Sequence, residues 1–260
     1  MKKLRHILIY SLMLSPLYFA GVAIAEPLQF VSCPIYRDTR VGKKSGCWLV
    51  DDPKTGIRYD VSLSPTKPDW NYQVLVEGTV SDNHQDVCGG VVLTPALISI
   101  LPAKCPAFKL EAEGFEGRAF QRPKRITQPL SSKREAPKGP FSDRVFHLFF
   151  EFNKSFITYQ FGDYMLDQAI HWLTHAKPKQ LVVTGYADTQ TRQVSGVTLA
   201  EDKAVAQQRA QKVVESLVRM GLPASSISIQ LNYDPDIIDA DDADGLSTLS
   251  RRRVDIAAIF

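Results

Sequence analysis

A chain of 260 residues with 44% hydrophobic and 23% charged residues has room for two modest globular domains and excludes wholesale disorder. Its formal charge of +3 comes from Lys2, Lys3 and Arg5, so the sequence beyond residue 25 carries 28 residues of each sign. A neutral remainder excludes bulk electrostatic attraction to nucleic acid.

The N-terminus predicts a signal peptide over residues 1–25. A basic start precedes an apolar run from Ile7 to Ala20, and Ala23-Ile24-Ala25 supplies the small-x-small cleavage pattern. An uncleaved anchor is the alternative, although the run is short and broken by Pro16. Export places the protein in the periplasm, with outer-membrane association left open. Cys33 lies too far downstream to be a lipidated first residue.

Residues 26–117 predict a small β-rich domain, a sandwich or barrel. Ile57 to Leu63 alternates apolar and polar residues, Gln73 to Val80 and Gly90 to Leu101 read as strands, and Pro and Gly punctuate them. Cys33, Cys47, Cys88 and Cys105 predict two disulfides in an oxidising compartment. All three pairings are open, and short loop closure favours Cys33–Cys47 with Cys88–Cys105. A metal site is disfavoured because no CxxC spacing occurs and His84 is the region's only histidine. Trp48, Trp70 and Tyr72 read as core or turn packing before a ligand face. No catalytic constellation is present, so the expectation is a protein that is not an enzyme and uses no cofactor.

Residues 118–144 predict a basic, Pro-rich linker, with Pro123, Pro129, Pro137 and Pro140 preventing regular structure. Flexible behaviour over about 20 residues would span roughly 25 Å.

From Val145 the pattern alternates strand and helix: a strand over 145–152, a helix over Gly162 to Ala176, a strand over Gln180 to Ala187, and a long helix over Leu199 to Met220. Two strands follow, near 226–231 and 254–260. This β-α-β-α-β-β order predicts helices packed on a mixed sheet, giving an α+β protein overall. Ala206, Ala210, Val213 and Leu217 form the long helix's buried stripe, with Arg209 beside it. Asp188, just past a strand end, and Arg209, on the next helix, can converge on one crevice suited to a zwitterion.

Three other motifs are weaker. His171 and His175 have metal-pair spacing but no third ligand. The aspartate run from Asp234 to Gly245 fails the calcium-loop signature, because Ala240 and Arg251 fall where acidic ligands belong. Arg251-Arg252-Arg253 beside six aspartates is a poor nucleic-acid signal.

Residues 145–260 resemble the OmpA C-terminal-like, peptidoglycan-associated domain family. LFFEFNKSFI is similar to its first strand and loop, GYAD to its strand-end turn, QQRAQKVVESLVRMGLPASSISI to its Arg-Ala helix and following strand, and SRRRVDI to its ending. The resemblance implies a two-layer domain that binds the diaminopimelate-containing peptide of peptidoglycan without covalent chemistry. It implies that Asp188 holds the ligand's ammonium and Arg209 its carboxylate, with Asn153, Asp202 and Arg252 completing the site. The β domain is then expected to dock another cell-envelope protein. The chain departs from the family in an enlarged loop over Thr189 to Thr198, in Asp202 at a usual Asn position, and in Arg251 at another. These departures motivate the alternative of an OmpA-like protein-interaction module, in an envelope or motor complex, that has lost peptidoglycan binding.

Overall fold

The computed structural model describes residues 27–260 except 41–43, 83–84, 120–133, 159–161, 240–241 and 244. The expected signal peptide, most of the linker, His84, Ala240 and Asp244 therefore lie outside the described residues.

The N-terminal half is built on one seven-stranded sheet. It contains β1 (Leu28–Ser32), β2 (Pro34–Arg37), β4 (Cys47–Asp51), β5 (Arg58–Asp60), β6 (Tyr72–Val80), β7 (Val91–Lys104) and β8 (Phe108–Leu110). A short pair, β3 (Lys44–Ser45) with β9 (Arg118–Ala119), stands apart. Among the described residues the spatial order is β1-β6-β7-β5-β4-β2-β8, with β1 and β8 at its two ends. The sheet curls on itself, because Phe30, Val50, Tyr59, Val74, Val76 and Ile98 share one core.

Strand periodicity explains why β6 and β7 are apolar on both faces. Val74 and Val76 point into that core. The alternate residues Leu75 and Glu77 are just as buried but point the other way, with Val31 opposite Leu75 and Leu97 opposite Glu77. This second face is where the C-terminal half docks.

The disulfides join Cys33 to Cys105 and Cys47 to Cys88, overturning the pairing favoured by short loop closure. Strand order is the reason. Cys33 follows β1 and Cys105 follows β7, which flank β6 on either side, while Cys47 opens β4 and Cys88 sits in the loop entering β7.

The C-terminal half is a four-stranded sheet with helices on one face. Its elements are β10 (Arg144–Phe149), α1 (Gly162–Ala176), β11 (Gln180–Tyr186), α2 (Ala204–Arg219), β14 (Ile227–Asn232) and β15 (Arg253–Ile259), in strand order β10-β15-β11-β14. The expected β-α-β-α-β-β order holds. Leu166, Ala169, Ile170 and Leu173 of α1 meet Ala210, Val213 and Leu217 of α2 over Leu181, Val183, Val254 and Ile256. Gly185 lets α2 approach closely, since a Cβ there would stand 2.1 Å from the Ala206 carbonyl oxygen.

Two regions differ from expectation. The loop after Asp188 is a hairpin, β12 (Arg192–Val194) and β13 (Val197–Leu199), turned by Ser195 and Gly196 at φ 49° and 79°. The helix expected from Leu199 consequently starts at Ala204. The end of the expected linker is also no free spacer. Arg134 pairs with Asp167 of α1, and the Phe141 ring packs edge-on against Trp172. At its other end, Arg118 pairs with buried Asp60.

The two halves dock through shared apolar clusters. Val31, Leu75 and Leu101 of the β sheet pack on Phe152, Val194 and Leu199, and Leu97 packs on Phe149, Leu246 and Leu249. Polar groups inside the contact are satisfied across it: the Phe152 N–H donates to Ser99 Oγ, and the Val31 N–H to Ser195 Oγ.

Candidate functional site: a carboxylate cradle filled from within

Three of the five expected ligand residues, Asn153, Asp188 and Arg209, meet where β10, β11 and α2 come together, around a sixth residue that sequence reasoning missed. Glu201 follows the hairpin and precedes α2. Its Oε1 accepts from the Asn153 backbone N–H (2.6 Å) and Arg209 Nη2 (2.6 Å). Its Oε2 accepts from the Asp188 backbone N–H (2.9 Å) and Arg209 Nη1 (2.9 Å). Asn153 adopts a left-handed φ of 54°, which Asn tolerates better than most residues. A guanidinium fork and two backbone N–H groups thus converge on one carboxylate.

Arg209 is fully buried, not an exposed charge beside the apolar stripe. Beyond its two bonds to Glu201, Nε donates to the Lys154 carbonyl (2.8 Å), Nη1 to Tyr186 (2.7 Å) and Nη2 to Glu151 (3.1 Å). A guanidinium has five N–H donors, and all five are taken within the chain. Burial opposes ionisation of Glu201. The charge and hydrogen bonds of Arg209, with help from Arg252 and the Asn153 N–H, outweigh it and hold the carboxyl below its ordinary range.

Asp188 is equally buried, and its cation partner is also internal. Arg192 Nη2 of the hairpin lies 2.6 Å from Oδ2, and Arg251 Nη1 lies 3.9 Å from Oδ1. Neither carboxylate oxygen has a well-directed hydrogen bond, so these contacts are ionic. Asp202 does not face the crevice. Its backbone N–H donates to Asn153 Oδ1 (3.0 Å), and its side chain accepts from the Ala204 N–H (2.8 Å), capping the start of α2.

Arg252 is turned away from the crevice onto the β domain. Its guanidinium grips Glu77 through both carboxylate oxygens, and its Nε donates to the Phe150 carbonyl (3.3 Å). Gln29 adds a bond to Glu77 (3.0 Å). Burial would lower the pKa of Arg252, but Glu77, with Glu201 and Asp188, raises it.

The other candidates find local partners. The His171 ring nitrogen lies 3.1 Å from the Glu135 carbonyl, and that of His175 lies 2.7 Å from the His171 carbonyl. Trp48 and Trp70 cluster with Tyr36. Among the described residues no group of three acidic, His or Cys side chains is placed to hold a metal, and no helix is long and apolar enough to cross a membrane.

Nothing in the spacing singles out Glu201, which reads as one acid among several before a helix. The available signal was its position two residues after an apolar hairpin residue, Leu199.

The C-terminal half is thus a two-layer domain with helices on one face of a mixed β10-β15-β11-β14 sheet and a charge crevice near its strand ends. Residues 149–245 match the model of the OmpA family, and the C-terminal half is an OmpA-like domain. The family match does not extend to the N-terminal half. Comparison with curated proteins found no match. Among solved structures, the chain is similar to the OmpA-like domain of FopA1 from Francisella tularensis (18% identity, 45% of this chain and 71% of that one, TM-score 0.35). It is similar to the peptidoglycan-associated lipoprotein from Burkholderia pseudomallei (20% identity, 43% and 87%, TM-score 0.32). A cell wall anchor of the T6SS from Pseudomonas aeruginosa is a third (20% identity, 45% and 81%, TM-score 0.34).

Proposed function

We propose that the protein is a non-enzymatic component of the cell envelope whose OmpA-like domain is an assembly module docked on its own β domain. In this resting form the crevice holds Glu201 and Arg192 in place of a peptidoglycan stem peptide. The carrying observation is that all five Arg209 donors are satisfied by the chain itself. An incoming carboxylate would have to displace a buried side chain already making four hydrogen bonds. The export-type N-terminus and the two disulfides support a periplasmic setting. The β domain then serves as the contact for another envelope protein, through surface the OmpA-like domain leaves uncovered; Trp70 and Phe108 remain exposed there.

The second reading, peptidoglycan anchoring through Asp188 and Arg209, is favoured by one feature: the cradle already accepts a carboxylate. Sedimentation with purified sacculi separates the two. The full-length protein is expected to stay in the supernatant. Pelleting that is lost in both Arg209→Lys and Asp188→Asn would overturn the proposal in favour of anchoring.

A further inference from the structure

The two internal charges filling the crevice belong to the two feet of one hairpin. Arg192 opens β12 and reaches Asp188, while Glu201 stands two residues beyond the end of β13 and reaches Arg209. The apolar side of the same hairpin packs on the other domain, with Val194 and Leu199 buried there. Ser195 Oγ accepts the Val31 N–H (3.1 Å), and Val194, Val197 and Leu199 pack with Val31, Leu75 and Leu101. Asp188 and Arg209 are held by different elements, β11's end and α2. Asp188 and Arg209 are thus fixed to the OmpA-like core, while Arg192 and Glu201 flank a hairpin seated on the β domain, Glu201 being tied to the core as well through its backbone N–H to the Asp188 carbonyl (2.9 Å).

We propose that this hairpin is a plug seated by domain docking, and that undocking the β domain withdraws Arg192 and Glu201 together, opening the crevice to an amino-acid zwitterion such as the free end of a peptidoglycan stem peptide. The inference rests on the reading that the resting crevice is closed, and adds what opens it. Docking and ligand binding become mutually exclusive, because the ligand's carboxylate and ammonium need the places Glu201 and Arg192 hold. An envelope partner that competes for the face around Val31 and Leu75 would switch the protein from a free to a wall-bound state. A ligand binds with an apparent affinity scaled by the fraction of open molecules, so a small shift in docking has a large effect.

The test is sedimentation of full-length variants with purified sacculi carrying diaminopimelate-type stem peptides. Folding is checked by far-UV circular dichroism and by mapping of both disulfides. Val194→Asp puts a charge into the docked interface without touching the crevice, and Val31→Asp does so from the β-domain side. Glu201→Ala removes the filling carboxylate directly. Folded Val194→Asp or Val31→Asp, and Glu201→Ala, are expected to raise the bound fraction at least about tenfold over wild type. Adding Asp188→Asn is expected to abolish the gain. If Glu201→Ala gains binding but neither folded interface variant does, the coupling is wrong. If none of the three gains binding, the plug itself is wrong while the closed resting crevice stands. Wild-type retention equal to that of Glu201→Ala would instead overturn the closed-crevice reading.

Discussion

Glu77 and Arg252, 175 residues apart, form a fully buried ion pair across the domain interface. Glu77 lies on the docking face of β6, and Arg252 ends the approach to β15, so the pair exists only when the domains are together. Removing one member of a buried pair leaves an uncompensated charge, typically at a cost of about 3–5 kcal/mol, whereas replacing both with apolar residues is often close to neutral. Glu77→Ala is therefore expected to lower urea-unfolding stability by about that amount, and Glu77→Leu with Arg252→Met to recover most of it. Equal losses in the single and double variants would show that the pair is not energetically coupled.

Glu201 makes the crevice sensitive to acid. Its folded carboxyl is held below the ordinary glutamate value of about 4.3, so the unfolded state takes up the proton first. The stabilisation it provides is complete above that value and is lost as pH falls through the lower folded value. The gap in unfolding free energy between wild type and Glu201→Gln should stay constant from pH 7 to about 5 and narrow below about 4. A gap that widens on acidification would contradict the assigned charge state.

The disulfides close long loops, with separations of 72 and 41 residues. In the chain-entropy account, each contributes about 4 kcal/mol by restricting the unfolded chain. Non-reducing peptide maps should recover Cys33 with Cys105 and Cys47 with Cys88. Replacing either pair by Ser should lower the urea midpoint markedly. Recovery of a Cys33–Cys47 peptide would refute the strand order of the β domain.

Much of the C-terminal half was legible because its signals are local. Gly162 to Ala176 forms the helix its periodicity predicts, and the Ala206, Ala210, Val213, Leu217 stripe is fully buried. Gly185 and Gly221 stand where close packing and a helix end require them. The site was legible as a location. Asn153, Asp188 and Arg209 do converge, but their partners were not readable. Arg192 and Glu201 enter only because an apparently polar loop buries Val194 and Leu199 against another domain.

Periodicity and turn chemistry act over a few residues, so they were enough to give the elements of the OmpA-like half, Asp188 past a strand end with Arg209 on the next helix, and an even set of cysteines. Which cysteines pair, that Arg252 turns to Glu77, and that Arg209 already holds a carboxylate came from contacts between distant segments. Those outcomes depend on strand order and on which surfaces meet. A buried charge takes its partner from whatever the fold brings within about 3 Å, and separation along the chain does not enter that choice.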